Sequence, residues 1–238
     1  MPGATLHLTH IELLAEEPAL SDPVRAAIAE QITHARLGSV FVDLPFYTNI
    51  VTMMVGYALE MPAENCPFAH KMHRYRPDMF AWHVLRCCAE EGGELTRDQR
   101  LALLAGFFSH VALDLEVHPL VNWCARRDLI LRGGNESHHH RLTEKYHSLF
   151  FHKDLLGSDV VGRSELFTQR ARIVDHPATV RRNVHAPVVR WSTEMLAGFF
   201  HGAAPSMREF AGWVRAFRHF SLAISLPPAG GNSRRLGN

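Results

Sequence analysis

Apolar positions recur at three- and four-residue intervals along most of this chain, the period of helices that bury one face. Ser21-Asp22-Pro23 sets an N-cap type residue ahead of a first-turn proline and predicts a helix that stops near Gly38. Pro77-Asp78 opens another, "DMFAWHVLRCCAEE", which Gly92-Gly93 ends. Thr96 and Gln99 have capping-box spacing and begin the longest helix, from about Arg97 until Pro119 disturbs it. "ESHHHRLTEKYHSLFFHKDLL" reads as helix up to Gly157, and "VVRWSTEMLAGFFHG" and "SMREFAGWVRAFRHFSLAISL" as two more. Period-2 alternation is scarce; "GSVFVDLPFY" comes nearest to a strand and lies between helices. No internal repeat is visible. The pattern predicts an all-α fold, a single domain of roughly six to eight helices over residues 1–226. The tail "PPAGGNSRRLGN", residues 227–238, reads as disordered.

Composition narrows the function classes. The 238 residues are 47% hydrophobic and 21% charged with a net charge of +1, which gives no electrostatic footprint for stable nucleic-acid binding. Six arginines and two acids between Arg163 and Arg190 form either a solvated surface or an anion-binding patch. No run of about 18 apolar residues occurs, so no transmembrane segment is expected. The first twenty residues lack a basic stretch followed by an apolar one, which makes a cytoplasmic location the default while leaving export open. Cys66, Cys87, Cys88 and Cys124 show no CxxC spacing and read as reduced, mostly buried thiols. Histidine is the outlier: there are 17, and its imidazole is the commonest metal ligand.

Spacing selects among them. In "SHVALDLEVHPL", His110, Asp114 and His118 stand at steps of four, within roughly 80° of arc on a helix turning about 100° per residue. Leu103 and Phe107 share that arc, so the line faces inward, where an ionised Asp is costly unless paired or bound to a cation. A buried His–Asp pair with His118 at the helix dipole is the competing reading. "HRLTE" adds His140 and Glu144 at i, i+4, either an exposed pair or a second set of metal donors. Two helices that each offer ligand pairs favour a shared metal centre. Imidazole and carboxylate without thiolate suit Zn²⁺, with Fe or Mn as alternatives. More than four candidate donors imply more than one ion, and two ions about 3.5 to 4 Å apart form a clamp for phosphoryl oxygens.

The order of motifs "LTHIELL", "GSVFVDLPFY", "FAH", "GFFSHVALDLEVHPL" and "HRLTE", over roughly residues 5 to 157, resembles the zinc-dependent phospholipase C family, which shares its all-α fold with the S1/P1 nucleases. The resemblance implies a di- or trinuclear zinc cluster. Asp43, His70, His110 and Asp114 would hold one ion, and His118, His140 and Glu144 a second. Asp114 would bridge the first to a third, which His10 would also bind. A hydroxide held between ions would attack phosphorus in line, with the catalytic Asp43 orienting or deprotonating it. Exported members place a mature N-terminal Trp on the third ion; here Met1 opens the chain and nine residues precede His10. His7, three residues before His10, either compensates or lies on the surface. His73 and His83 are alternatives to His70, which motif position favours. His147 is a partner holding Glu144, a further ligand, or a surface residue. Arg74 and Arg76 are either phosphate contacts or solvated. Asp43 has a second reading as an N-cap for the helix after Pro45.

The function implied is a zinc-dependent phosphodiester hydrolase of the phospholipase C type, with a phospholipid or other phosphoester as substrate. An S1/P1-like nuclease or another phosphoesterase is the alternative within the fold. A nuclease calls for an aromatic platform with basic residues; Trp82, Trp123, Trp191 and Trp213 are expected in the core instead. From a different class comes a non-catalytic metal-binding or partner-docking protein, with Phe199, Phe200, Phe217 and Phe220 as a partner surface or as core.

Overall fold

A computed structural model of the chain describes residues 3–48, 67–74, 77–155, 157, 185–201 and 203–225. Among the described residues there is no strand. The described residues form nine α-helices: α1 (Gly3–Leu14), α2 (Asp22–Glu30), α3 (Ile32–Val40), α4 (Pro67–Arg74), α5 (Pro77–Ala89), α6 (Arg97–Arg132), α7 (Glu136–Phe150), α8 (Ala186–Phe200) and α9 (Met207–Ser225). A 3-10 segment, Phe41–Tyr47, continues α3, and a π-helical stretch, Phe151–Leu155, continues α7. The chain is thus all-α, as its periodicity predicts. The tail 227–238, Cys66, and most of the arginine-rich segment lie outside the described residues.

The central element is α6, whose 36 residues span about 54 Å. Its start follows from the sequence: the Thr96 hydroxyl accepts from the Gln99 backbone N–H, and the Gln99 side chain accepts from the Thr96 N–H. Pro119 does not end it. Proline removes the bond to the Leu115 carbonyl, but Leu115 and Pro119 both lie on the exposed side, where the freed carbonyl can be solvated. By length and composition α6 could cross a membrane, although no such span is expected from the sequence. In this structure it packs against α1, α2, α3, α5 and α7.

Two further expectations shift. The helix opened by Pro23 breaks at Gln31 (φ −115°, ψ 40°), giving α2 and α3, and it runs past Gly38 to Val40. The apolar run Phe41, Val42 and Leu44 is buried on all sides as a 3-10 helix rather than a strand, with Pro45 inside it. Its continuous apolarity serves burial in either conformation.

Gly38 does not stop a helix; it lets two helices touch. A Cβ at Gly38 would run into the Leu103 carbonyl of α6, and one at Gly106 into the Ala35 carbonyl and, at 2.9 Å, the Gly38 Cα. The main core collects around this crossing, with Leu37, Phe80, Leu103, Phe107, Leu196 and Phe217 buried. Ile11, Ile28, Ala35 and Ala102 form a smaller cluster. Trp213 is core and Trp191 half-buried, whereas Trp82 and Trp123 are exposed, contrary to the expectation that all four tryptophans are internal. Phe217 is buried, and Phe199 and Phe200 pack against the core; the Phe220 side chain lies outside the described residues. Cys87, Cys88 and Cys124 are free and half-buried.

Substituting Gly38→Ala or Gly106→Ala will destabilise the protein by at least about 2 kcal/mol, because backbone rather than a flexible side chain must give way. Gly212→Ala, where an added Cβ meets nothing within 4 Å, will instead stabilise α9 by about 0.5–1 kcal/mol. Urea unfolding of the three variants checks both signs.

Candidate metal centre

The crossing of α3 and α6 brings histidines and carboxylates from five elements together. α1 supplies His7, the 3-10 segment Asp43, α4 His73, α6 the line His110, Asp114 and His118, and α7 the pair His140 and Glu144. Among the described residues they form three groups: His7, His110 and Asp114; Asp43, His73 and His110; His118, His140 and Glu144. Within each group the donor atoms lie within 4.8 Å of one another.

Asp114 is the hinge of the arrangement. Its Oδ2 faces His110 Nε2 at 3.2 Å, while Oδ1 faces His7 Nε2 at 3.3 Å and His118 Nε2 at 3.6 Å. Glu144 Oε1 lies 3.4 Å from His118 Nε2 and 3.1 Å from His140 Nε2. Asp43 Oδ1 lies 3.2 Å from His73 Nε2. The His7 and His110 rings stack with centroids 3.9 Å apart, so one wall of the site is imidazole on imidazole.

Second nitrogens decide which atom each ring presents. His110 Nδ1–H donates to the Ser39 carbonyl at 2.8 Å and His73 Nδ1–H to the Ala69 carbonyl at 2.8 Å. Carbonyls only accept, so both rings turn Nε2 toward the carboxylates. His140 does the same through Asn122 Oδ1 at 3.0 Å. His110 Nε2 is buried without a hydrogen bond of good geometry, and so is His7 Nδ1.

Burial and charge pull against each other throughout. Burial alone would push the Asp114 carboxyl up, but His110 and His7 more than offset it and hold it far below the usual carboxylate range. Glu144 is brought to about 2 in the same way, burial being outweighed by His118 and His140. Asp43 is lowered against its burial by His110 and His73. His110 rises to about 9: burial opposes its charge, and Asp43 and Asp114 overcome that. His118 is raised, chiefly by its bond to Glu144. His7 goes the other way, lowered by burial and by the neighbouring His110 charge.

Of the residues expected at the site, Asp43, His110, Asp114, His118, His140 and Glu144 converge. His10 does not join the groups; its Nδ1 pairs with Ser109 Oγ at 2.8 Å, and the α1 histidine against Asp114 is His7. The histidine beside Asp43 is His73, whereas the His70 side chain, the Arg74 side chain and Arg76 lie outside the described residues. In both helices the alternative stands three residues away, about 60° around the axis, too small an offset for spacing to resolve. His83 donates Nε2–H to the Met195 carbonyl and His139 donates Nε2–H to the Gly133 carbonyl at the end of α6, so both nitrogens are committed to backbone. His147 is half-buried and belongs to none of the three groups. Asp43 lies inside the 3-10 segment rather than capping a helix after Pro45.

In protein stripped with a chelator, stability will depend on pH through these shifts. His110 titrates near 9 when folded and 6.5 when unfolded, so its contribution is complete below pH 6.5 and lost as pH rises through about 9. Glu144 contributes above 4.5 and loses that as pH falls through about 2. Urea midpoints across pH will show both limbs, and His110→Gln will flatten the alkaline one. Compared with family models, characterised proteins and solved structures, the chain matches none, and the chemistry of the centre rests on its own geometry.

Proposed function

We propose that the chain is a zinc-dependent phosphodiester hydrolase of the phospholipase C type. The observation that carries this reading is the orientation of the imidazoles. With Nδ1–H committed to backbone carbonyls, the Nε2 atoms of His73 and His110 face carboxylate oxygens at 3.2 Å, and each ring can offer a metal only this nitrogen. Two acceptors at that distance repel unless a proton or a metal ion lies between them. The motif recurs around three carboxylates in one cluster, which argues for a cation site rather than incidental ion pairs. Donors on a tetrahedral zinc with bonds near 2.1 Å stand about 3.4 Å apart; those here stand 3.1 to 3.6 Å apart. Nitrogen and oxygen donors without thiolate suit zinc.

His7, Asp43, His73, His110 and Asp114 would hold ions on one side of the cluster and His118, His140 and Glu144 an ion on the other. His110 has only Nε2 to offer, so it would serve one ion, and Asp114, whose carboxylate faces His7, His110 and His118, would be available to both sides. Zinc bound there supplies an acidified water and positive charge for phosphoryl oxygens. Asp43, beside His73 at 3.2 Å, would orient the attacking water and accept its proton. A phospholipid or related phosphoester is the substrate favoured by the motif resemblance and by the near-neutral net charge. One observation favours single-stranded nucleic acid as a second reading: exposed Trp123 carries Arg127 over its ring at 5.5 Å, a pairing able to stack a base and meet a phosphate.

Metal analysis of the purified protein should find at least two zinc ions per chain. His110→Ala and Asp114→Asn should lose zinc and at least about 100-fold in hydrolysis of a phosphocholine ester. Absence of zinc, or unchanged content in both variants, overturns the reading. Cleavage of single-stranded DNA in place of the ester moves the substrate to the second reading, and zinc without either activity favours a non-catalytic metal-binding protein.

A further inference from the structure

We infer that Asn122 is a positioning residue for His140, selecting Nε2 as the atom this ring offers to metal; the inference rests on the zinc reading above. Within the group His118, His140 and Glu144, the Nδ1 of His140 is held by a side chain from another helix, Asn122 Oδ1 at 3.0 Å. Ser39 and Ala69 do the same for His110 and His73 with backbone carbonyls, which no substitution removes. Asn122 stands one turn beyond His118 on α6, so a single helix face carries one ligand of this group and the brace for another. The His118 and His140 rings accordingly meet edge to face with centroids 5.4 Å apart, and both Nε2 atoms reach Glu144 Oε1. Without that brace the His140 ring is free to rotate, and its two nitrogens compete for the position facing Glu144. Partners of this kind fix ring orientation and tautomer, and their removal weakens metal binding by about 10- to 100-fold. Asn122 is exposed, so its replacement is expected to leave the fold intact.

The experiment compares wild type, Asn122→Ala, Asn122→Asp and His140→Ala. In zinc-free protein, nitrogen-15 spectra should show a slowly exchanging His140 Nδ1–H proton in wild type and Asn122→Asp, and lose it in Asn122→Ala. Zinc titration against a competing chelator should show the equivalent that His140→Ala removes bound about 10- to 100-fold more weakly in Asn122→Ala, with Asn122→Asp restoring it. Thermal midpoints should stay level between wild type and the two Asn122 variants, which separates positioning from a structural role. A retained Nδ1–H signal, or unchanged zinc affinity, in Asn122→Ala overturns the inference while leaving the zinc reading in place. A wild type that takes up no zinc overturns the zinc reading itself.

Discussion

The backbone contact between Gly38 on α3 and Gly106 on α6 is the constraint from which the rest of the structure follows. With no side chain between them, the two helices approach closely enough for the Ser39 carbonyl to accept the His110 Nδ1–H. That bond sets the His110 ring and ties the start of the 3-10 segment to the middle of α6. Asp43 then stands four residues beyond Ser39, and Asp114 one turn beyond His110, on either side of the same imidazole. A larger residue at either glycine would separate the helices and pull Asp43 away from His110, while Asp114, on α6 itself, would stay beside it.

Around this contact the molecule gathers charge in a place where charge is costly. Asp43, Asp114 and Glu144 are largely shielded from solvent and remain ionised only because imidazoles stand against each of them. The same field raises His110 and His118, so in the absence of another cation protons fill the site. Divalent ions would satisfy these carboxylates with fewer bodies and leave the imidazoles neutral, the state in which they ligate. Groups with strongly opposed shifts in one cluster are a recognised mark of functional sites. The three groups also differ in setting. His110 is fully enclosed, whereas His118 and His140 are partly open to solvent, so the α6–α7 side is the accessible one.

The all-α class, the start of α6 at its capping box and the inward line His110, Asp114, His118 were all legible from spacing, because helical period and local capping are properties of neighbouring residues. So was the pair His140 and Glu144. His7 and His73 were not, since a three-residue step moves a side chain only about 60° around a helix and leaves two histidines on nearly one face. Gly38 was misleading for a related reason. Glycine marks helix ends and close helix crossings alike, and only the partner helix, Gly106 of α6, tells them apart. Pro119 carried a similar ambiguity, resolved by the exposure of its side of α6.

By itself the sequence determined the all-α class, which polar side chains would lie on an apolar face of α6, and that these were imidazoles and carboxylates without thiolate. Tertiary structure decided that His7 rather than His10 stands against Asp114, that His73 stands beside Asp43, and which nitrogen His73, His110 and His140 turn inward. It also decided that Asp114 reaches His7 and His118 as well as His110. The division has a physical cause: helix formation is governed by contacts within a few residues, whereas the rotation of one helix about its axis is settled by its packing on another. In this protein that packing is two glycines pressed together where α3 crosses the first third of α6.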